Sequence, residues 1–273
     1  MYEADYRVSP DGQIERRDRR SAWWKRALGP LIPILIFGAT KLKFLFAALK
    51  GVKFMATGVT MLVSAGAYAL LFPWHFAVGL VVLIFIHEMG HSLVLKRYGM
   101  AATAPIFIPF LGAFIGMKQL PKNSVMEAYV GLGGPILGTL GAFAAWGVYL
   151  LNGEPIFLVL AFFGMFLNLF NLLPILPLDG GRAVGALSRW VWLAGYAGLI
   201  GLVVMRPTPI LFIILLVGAP ETWNAIRGRR DREYYRASGA DRLRIAALYF
   251  GLILILGVSF FEIQSSLEGM RLR

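Results

Sequence analysis

Residues 76–95 read FAVGLVVLIFIHEMGHSLVL, twenty positions that are apolar or small except for His87, Glu88, His91 and Ser92. A helix crossing the hydrocarbon of a bilayer needs about 20 mostly apolar residues, so this stretch reads as a membrane span. An ionisable group held in such a span costs at least about 2.5–3.5 kcal/mol unless it has a partner. Three of them within five residues therefore mark a functional cluster or a set of interhelical hydrogen bonds.

The rest of the chain supports the membrane reading. Of its 273 residues, 58% are hydrophobic and 15% charged, and the mean hydropathy is +0.68. Soluble domains average about 45–50% apolar and about 25% charged. Cysteine is absent, which excludes a disulfide scaffold, a Cys-ligated zinc module and an iron–sulfur protein. Further spans are expected at 54–73, 128–150, 156–178, 190–205, 208–220 and 245–262, with 208–220 the shortest. The segment 28–39 (LGPLIPILIFGA) is short and proline-rich, and reads as interfacial or re-entrant. The expected fold is thus an all-α polytopic membrane protein of about six to seven transmembrane helices.

Lys and Arg total 27 against 15 Asp and Glu, a formal charge of +12. If the N-terminus lies inside, every Lys and Arg except Arg206, Arg271 and Arg273 falls in a connection on the inner side. Cytoplasmic loops carry such an excess, so the charge is accounted for by orientation and nucleic acid is not an expected partner. The first 26 residues are polar and basic and hold no apolar core of a secretory signal. The N-terminus is accordingly expected in the cytoplasm, and the absence of a targeting sequence suits a prokaryotic plasma membrane. Three parts are expected: a basic cytoplasmic or interfacial segment over 1–53, a membrane core over 54–189, and additional helices with a charged cytoplasmic linker over 190–273. Within the core, 101–127 contains the run APIFIPFLGAFIGMKQLP, broken by Pro105, Pro109, Gly112 and Gly116. It is too punctuated for a helix and reads as a small β-hairpin or a re-entrant loop. Such backbone survives at membrane depth only when buried in protein or beside an aqueous cavity, so a cavity open to the cytoplasm is expected.

Two of the three histidines lie in His87-Glu88-Met89-Gly90-His91. Positions i and i+4 share a helix face, so both imidazoles can hold one zinc ion, with Glu88 beside them to take a proton from a water that the metal activates. A catalytic zinc takes three protein ligands and leaves a fourth position open. His75 lies twelve residues before His87, about 18 Å away along a helix, and is out of reach. Asp179 remains, in Asn171-Leu-Leu-Pro174-Ile-Leu-Pro177-Leu-Asp179-Gly180-Gly181-Arg182. It ends on the same side as His91, and Pro174 and Pro177 break the helix before it. On these residues alone Asp179 reads equally as a ligand, as a cap of the next helix or as a partner of Arg182.

The HExxH in an apolar helix, followed downstream by Asn-x-x-Pro-x-x-x-Leu-Asp-Gly, resembles the site-2 protease family of intramembrane zinc metalloproteases, over roughly residues 50–190. The resemblance implies one zinc per chain held by His87, His91 and Asp179, with Glu88 as catalytic acid/base and Asn171 assisting. It implies an endopeptidase that cuts membrane proteins or signal-peptide remnants within or near the bilayer. It also implies that the loop pairs with extended substrate, through Gly112, Ala113, Phe114, Ile115 and Gly116, by β-augmentation. The chain departs from the pattern once: many members carry Gly-Pro-x-x-Asn, and here Gly134-Pro135-Ile136-Leu137-Gly138 has Gly at the last place. The Gly134/Gly138 pair then reads as close helix packing. No PDZ-like insertion interrupts the core. Two rival readings are a transporter or channel for metal ions or protons, which needs no Glu beside the ligand pair, and a catalytically silent membrane scaffold. A His-cluster di-iron oxidase would need more histidines.

Overall fold

Several helix boundaries in this chain fall at proline or glycine. The computed structural model describes residues 6–16, 55–227 and 233–271. The segment 28–39, expected to be interfacial, lies outside them. The chain divides into two units, Met1–Met55 and Ala56–Arg273.

In the first unit, strand β1 (Tyr6–Val8) pairs antiparallel with β2 (Ile14–Arg16), Arg7 opposite Glu15. The turn is Ser9-Pro10-Asp11-Gly12, with Gly12 at φ 82° and its N–H bonded to Ser9 O at 2.9 Å. The reading of 1–53 as a basic segment does not anticipate this hairpin. Its signal was there, since Pro-Asp-Gly between short apolar runs is a turn signature.

The second unit is mostly helical. Helix α1 (Met55–Ala69) is followed by α2 (Trp74–Arg97), which starts after Pro73 and ends at Tyr98 before Gly99, at φ 67°. Lys96 and Arg97 sit in its last turn, where cations complement the helix dipole. At 24 residues it is about 36 Å long, enough to cross the hydrocarbon. A small hairpin follows, β3 (Ile106–Ile108) antiparallel to β4 (Gly112–Phe114). Next come α3 (Ser124–Asn152) and α4 (Pro155–Asn171). Asn123 caps α3 by accepting from Met126 N–H at 2.9 Å, which starts that helix one turn earlier than the apolar count suggests. The short α5 (Asp179–Gly185), then α6 (Arg189–Met205), α7 (Pro209–Ile226) and α8 (Gly239–Arg271) complete it.

Three of these helices, α2, α3 and α8, are long and apolar enough to cross a membrane; α1, α4, α6 and α7 are apolar but shorter over their described residues. A helical membrane protein with a small hairpin is thus what the residues build. Helix α4 ends at Asn171, about two turns short of the expected 178. The segment 172–178 holds Pro174 and Pro177 and turns back instead of continuing, because a residue before proline is pushed out of the helical region.

Helix α3 is the central element, packed against α2 on one side and α4 on the other. Its Ala128, Leu132 and Ala142 join Leu158, Ala161 and Met165 of α4 in the main core, which Tyr249 and Leu256 of α8 extend. A second cluster holds Tyr68 of α1, Phe76 and Leu80 of α2 and Phe107 of β3. Phe107 is the one residue of β3 that turns inward, and it fixes the hairpin to the helices. Thr57 of α1 donates its hydroxyl to Pro105 O at 2.8 Å, and Thr60 Oγ1 accepts from Phe107 N–H at 3.3 Å. One edge of the hairpin is thereby bonded to α1.

Candidate metal centre

His87 and His91 occupy consecutive turns of α2 and face α3 and α4. The two helices approach here because Gly90 and Gly133 present bare backbone to each other: a Cβ on Gly90 would overlap the Gly133 carbonyl, and one on Gly133 would lie 2.7 Å from Gly90 O. A Cβ on Gly134 would overlap the His91 imidazole, so that glycine leaves the volume the rings fill. The expected helix-packing role of Gly134 and Gly138 is therefore modified. The backbone contact belongs to Gly133, while Gly134 makes room for the imidazoles and Gly138 for Asn168.

Hydrogen bonds set the two rings. His91 Nδ1 is 2.8 Å from Val130 O, and a carbonyl only accepts, so this nitrogen carries the proton. His87 Nδ1 is 2.8 Å from Asn168 Oδ1. In neutral imidazoles both Nε2 atoms are then left with a free electron pair, and they stand 3.2 Å apart.

Asp179 reaches the same point from the first residue of α5. Segment 172–178 folds tightly: Ile175 N–H bonds Leu173 O at 2.8 Å and Leu178 N–H bonds Ile175 O at 2.9 Å. Gly180 and Gly181 are required by this turn, since a Cβ on either would overlap the backbone of Leu172 or Ile175. Two outer bonds hold it, Tyr249 Oη to Leu172 O at 2.6 Å and Trp192 Nε1 to Gly181 O at 2.7 Å. Asp179 Oδ2 then lies 3.0 Å from His87 Nε2 and 3.3 Å from His91 Nε2.

Three electron pairs meeting at this spacing repel unless a cation or added protons lie between them. Ligands at about 2.0–2.1 Å from a tetrahedral zinc are spaced about 3.3 Å from each other. The observed triangle of 3.2, 3.0 and 3.3 Å matches that spacing, so the donor set fits the metal. His87, Glu88 and His91 also form a group whose ligand atoms all lie within 4.8 Å of one another. Glu88 is 6% exposed.

The cluster opens into a cavity of about 380 Å³ whose wall includes Glu88, Asn171, Arg182, Ala113 and Phe114. Gly112 and Ile115 line it too, whereas Gly116 does not: its N–H is turned to Thr103 Oγ1 at 2.8 Å. Asn171 lines the cavity while its Nδ2 donates to Leu167 O at 3.1 Å. Because Phe107 N–H points to α1, the facing pair Phe107–Ala113 is the one that exchanges no hydrogen bonds between β3 and β4. The N–H and C=O of Ala113 therefore point out of the opposite edge, the edge at the cavity.

Sequence reading missed Asn168. It is 2% exposed, lies in α4 one turn before Asn171, and bonds His87 directly. A second asparagine at i−3 within an apolar helix was the available signal.

The family model described as Peptidase family M50 matches residues 75–157, a stretch that holds His87, Glu88 and His91 and ends before Asp179. A protein of Methanocaldococcus jannaschii named as a zinc metalloprotease is 32% identical over 118 residues, covering 40% of this chain and 32% of that relative. The chain thus spans about a third of that relative's length. These matches support the resemblance to the site-2 protease family.

The centre predicts that Gly134→Ala abolishes high-affinity metal binding while helicity is kept, measured by cobalt titration alongside far-ultraviolet circular dichroism. Wild-type affinity in that variant would contradict the placement of the imidazoles.

Proposed function

We propose that the chain is an intramembrane zinc-dependent endopeptidase, with His87, His91 and Asp179 as the metal ligands and Glu88 as the general base. The observation that carries this reading is the meeting of three electron pairs, two imidazole and one carboxylate, beside a second carboxylate and an open cavity. Zinc bound there supplies a positive charge that lowers the pKa of a water and polarises a peptide carbonyl.

The chain's own residues do the rest. Glu88 takes the proton of the attacking water and returns it to the leaving amine. Asn171, on the cavity wall, donates to the reacting carbonyl when its Nδ2 turns from Leu167. A helical substrate has its carbonyls bonded internally and must unwind before it can be cut. The outward N–H and C=O of Ala113 give an unwound strand a ladder to join, with Gly112 and Phe114 as its neighbours on β4 and Ile115 just beyond it. Gly116 completes the segment without touching the strand. The Thr57 and Thr60 contacts engage the other edge, so the substrate pairs at β4. Residues 54–189 form the catalytic core in this account.

The charge distribution supports a cavity open to the cytoplasm, and the family likeness supports membrane proteins or signal-peptide remnants as substrates in a prokaryotic plasma membrane. Incubating the zinc-loaded protein with synthetic single-span peptides in detergent, and reading products by mass spectrometry, tests the reading. Peptides cut within the span bear it out; zinc bound without cleavage of any peptide contradicts it and favours the scaffold.

Two variants sharpen the roles. Glu88→Gln should lower the cleavage rate by about 10²–10⁴-fold with zinc content unchanged; a rate near wild type removes Glu88 from its role. Ala113→Pro deletes one outward N–H and should reduce cleavage of span peptides, with zinc content unchanged. Unaltered cleavage would move the substrate off the β4 edge.

A further inference from the structure

His87 differs from His91 in what holds it. The backbone carbonyl of Val130 holds His91, whereas a side chain from another helix holds His87. Asn168 Nδ2 donates to Gly164 O at 2.7 Å. That carbonyl can only accept, which decides the orientation of the amide: Nδ2 faces Gly164 and Oδ1 faces His87. Oδ1 can only accept in turn, so His87 Nδ1 must be the protonated nitrogen. The chain Gly164 O, Asn168, His87 thus fixes one tautomer of His87 and turns its Nε2 towards Asp179 and His91.

Helix α3 is shaped for this amide. A Cβ on Gly138 would overlap Asn168 Oδ1 and lie 2.8 Å from Cγ. The position where the resemblance leads one to expect an asparagine is therefore empty of side chain, and an amide from α4 fills the space. On the same helix Gly147 has nothing within 4 Å of its Cβ position.

We propose that Asn168, admitted by Gly138, is the positioning residue that sets the tautomer and aim of His87 for metal binding. The inference rests on the metal site proposed above. Partners of this kind, hydrogen-bonded to the far nitrogen of a ligating histidine, typically change metal affinity by about 10–100-fold.

The test titrates cobalt into the metal-stripped full chain in detergent, reading the d–d absorption for affinity and geometry and the thermal midpoint without metal for folding. Asn168→Ala should bind cobalt about 10–100-fold more weakly, with an altered d–d band. Asn168→Asp keeps an acceptor for His87 Nδ1 but cannot donate to Gly164 O, and should bind as tightly as wild type. Gly138→Ala, which displaces the amide without removing it, should weaken binding as Asn168→Ala does, and Gly147→Ala should not. Wild-type affinity and spectrum in Asn168→Ala overturn the inference alone. So does equal weakening in the Ala and Asp variants, since the bond to Gly164 would then be what matters. No cobalt bound by wild type overturns the metal site as well.

Discussion

Everything at the centre depends on how closely α2 and α3 approach at Gly90 and Gly133. A single methyl group on either would meet backbone of the other helix. The approach brings Val130 O within 2.8 Å of His91 Nδ1 and presents Gly134 to the rings. A buried polar group left without a partner is costly, so these side chains need partners within the protein. The site meets that demand in layers. The outer nitrogens of both histidines are bonded to protein acceptors, and the inner ones are aimed at a common point with Asp179. An arrangement of acceptors without donors is unfavourable alone and favourable around a cation.

The second constraint is the turn that delivers Asp179. Pro174 and Pro177 prevent α4 from continuing, and Gly180 and Gly181 let the chain fold back against Leu172 and Ile175. Tyr249 and Trp192 bond the turn from outside. The carboxylate is thus set by helices α6 and α8 as well as by its own loop. The additional C-terminal helices thereby contribute to the geometry of a site whose proposed ligands all lie before them. The hairpin is placed in a similar way, with Phe107 buried among α1 and α2 and two threonines of α1 bonded to its far edge.

How much of this was legible depended on the range of the interactions. His87 and His91 could be read together because four residues on a helix return to the same face, a local rule. The hairpin at 106–114 was legible from its punctuation. Asp179 stayed open between ligand, cap and partner of Arg182, because its direction is fixed by contacts of Gly180 and Gly181 that no local pattern encodes. Asn168 was missed because its partner lies on another helix and the motif drew attention to Asn171. The Gly134/Gly138 pair was read as helix packing, a role that belongs to Gly133, since which glycine faces backbone and which faces a side chain depends on the rotation of α3. The β1–β2 hairpin was overlooked because the basic charge of its surroundings outweighed the Pro10-Asp11-Gly12 turn.

The measurement that tests the account most directly is zinc per chain, by elemental analysis of the detergent-purified protein, for wild type beside His91→Ala and Asp179→Ala. The account predicts about one zinc in wild type and a marked loss in both variants, because a catalytic site takes three protein ligands. A wild-type protein without zinc, or an Asp179→Ala protein that keeps it unchanged, would contradict the three-ligand centre on which the rest stands.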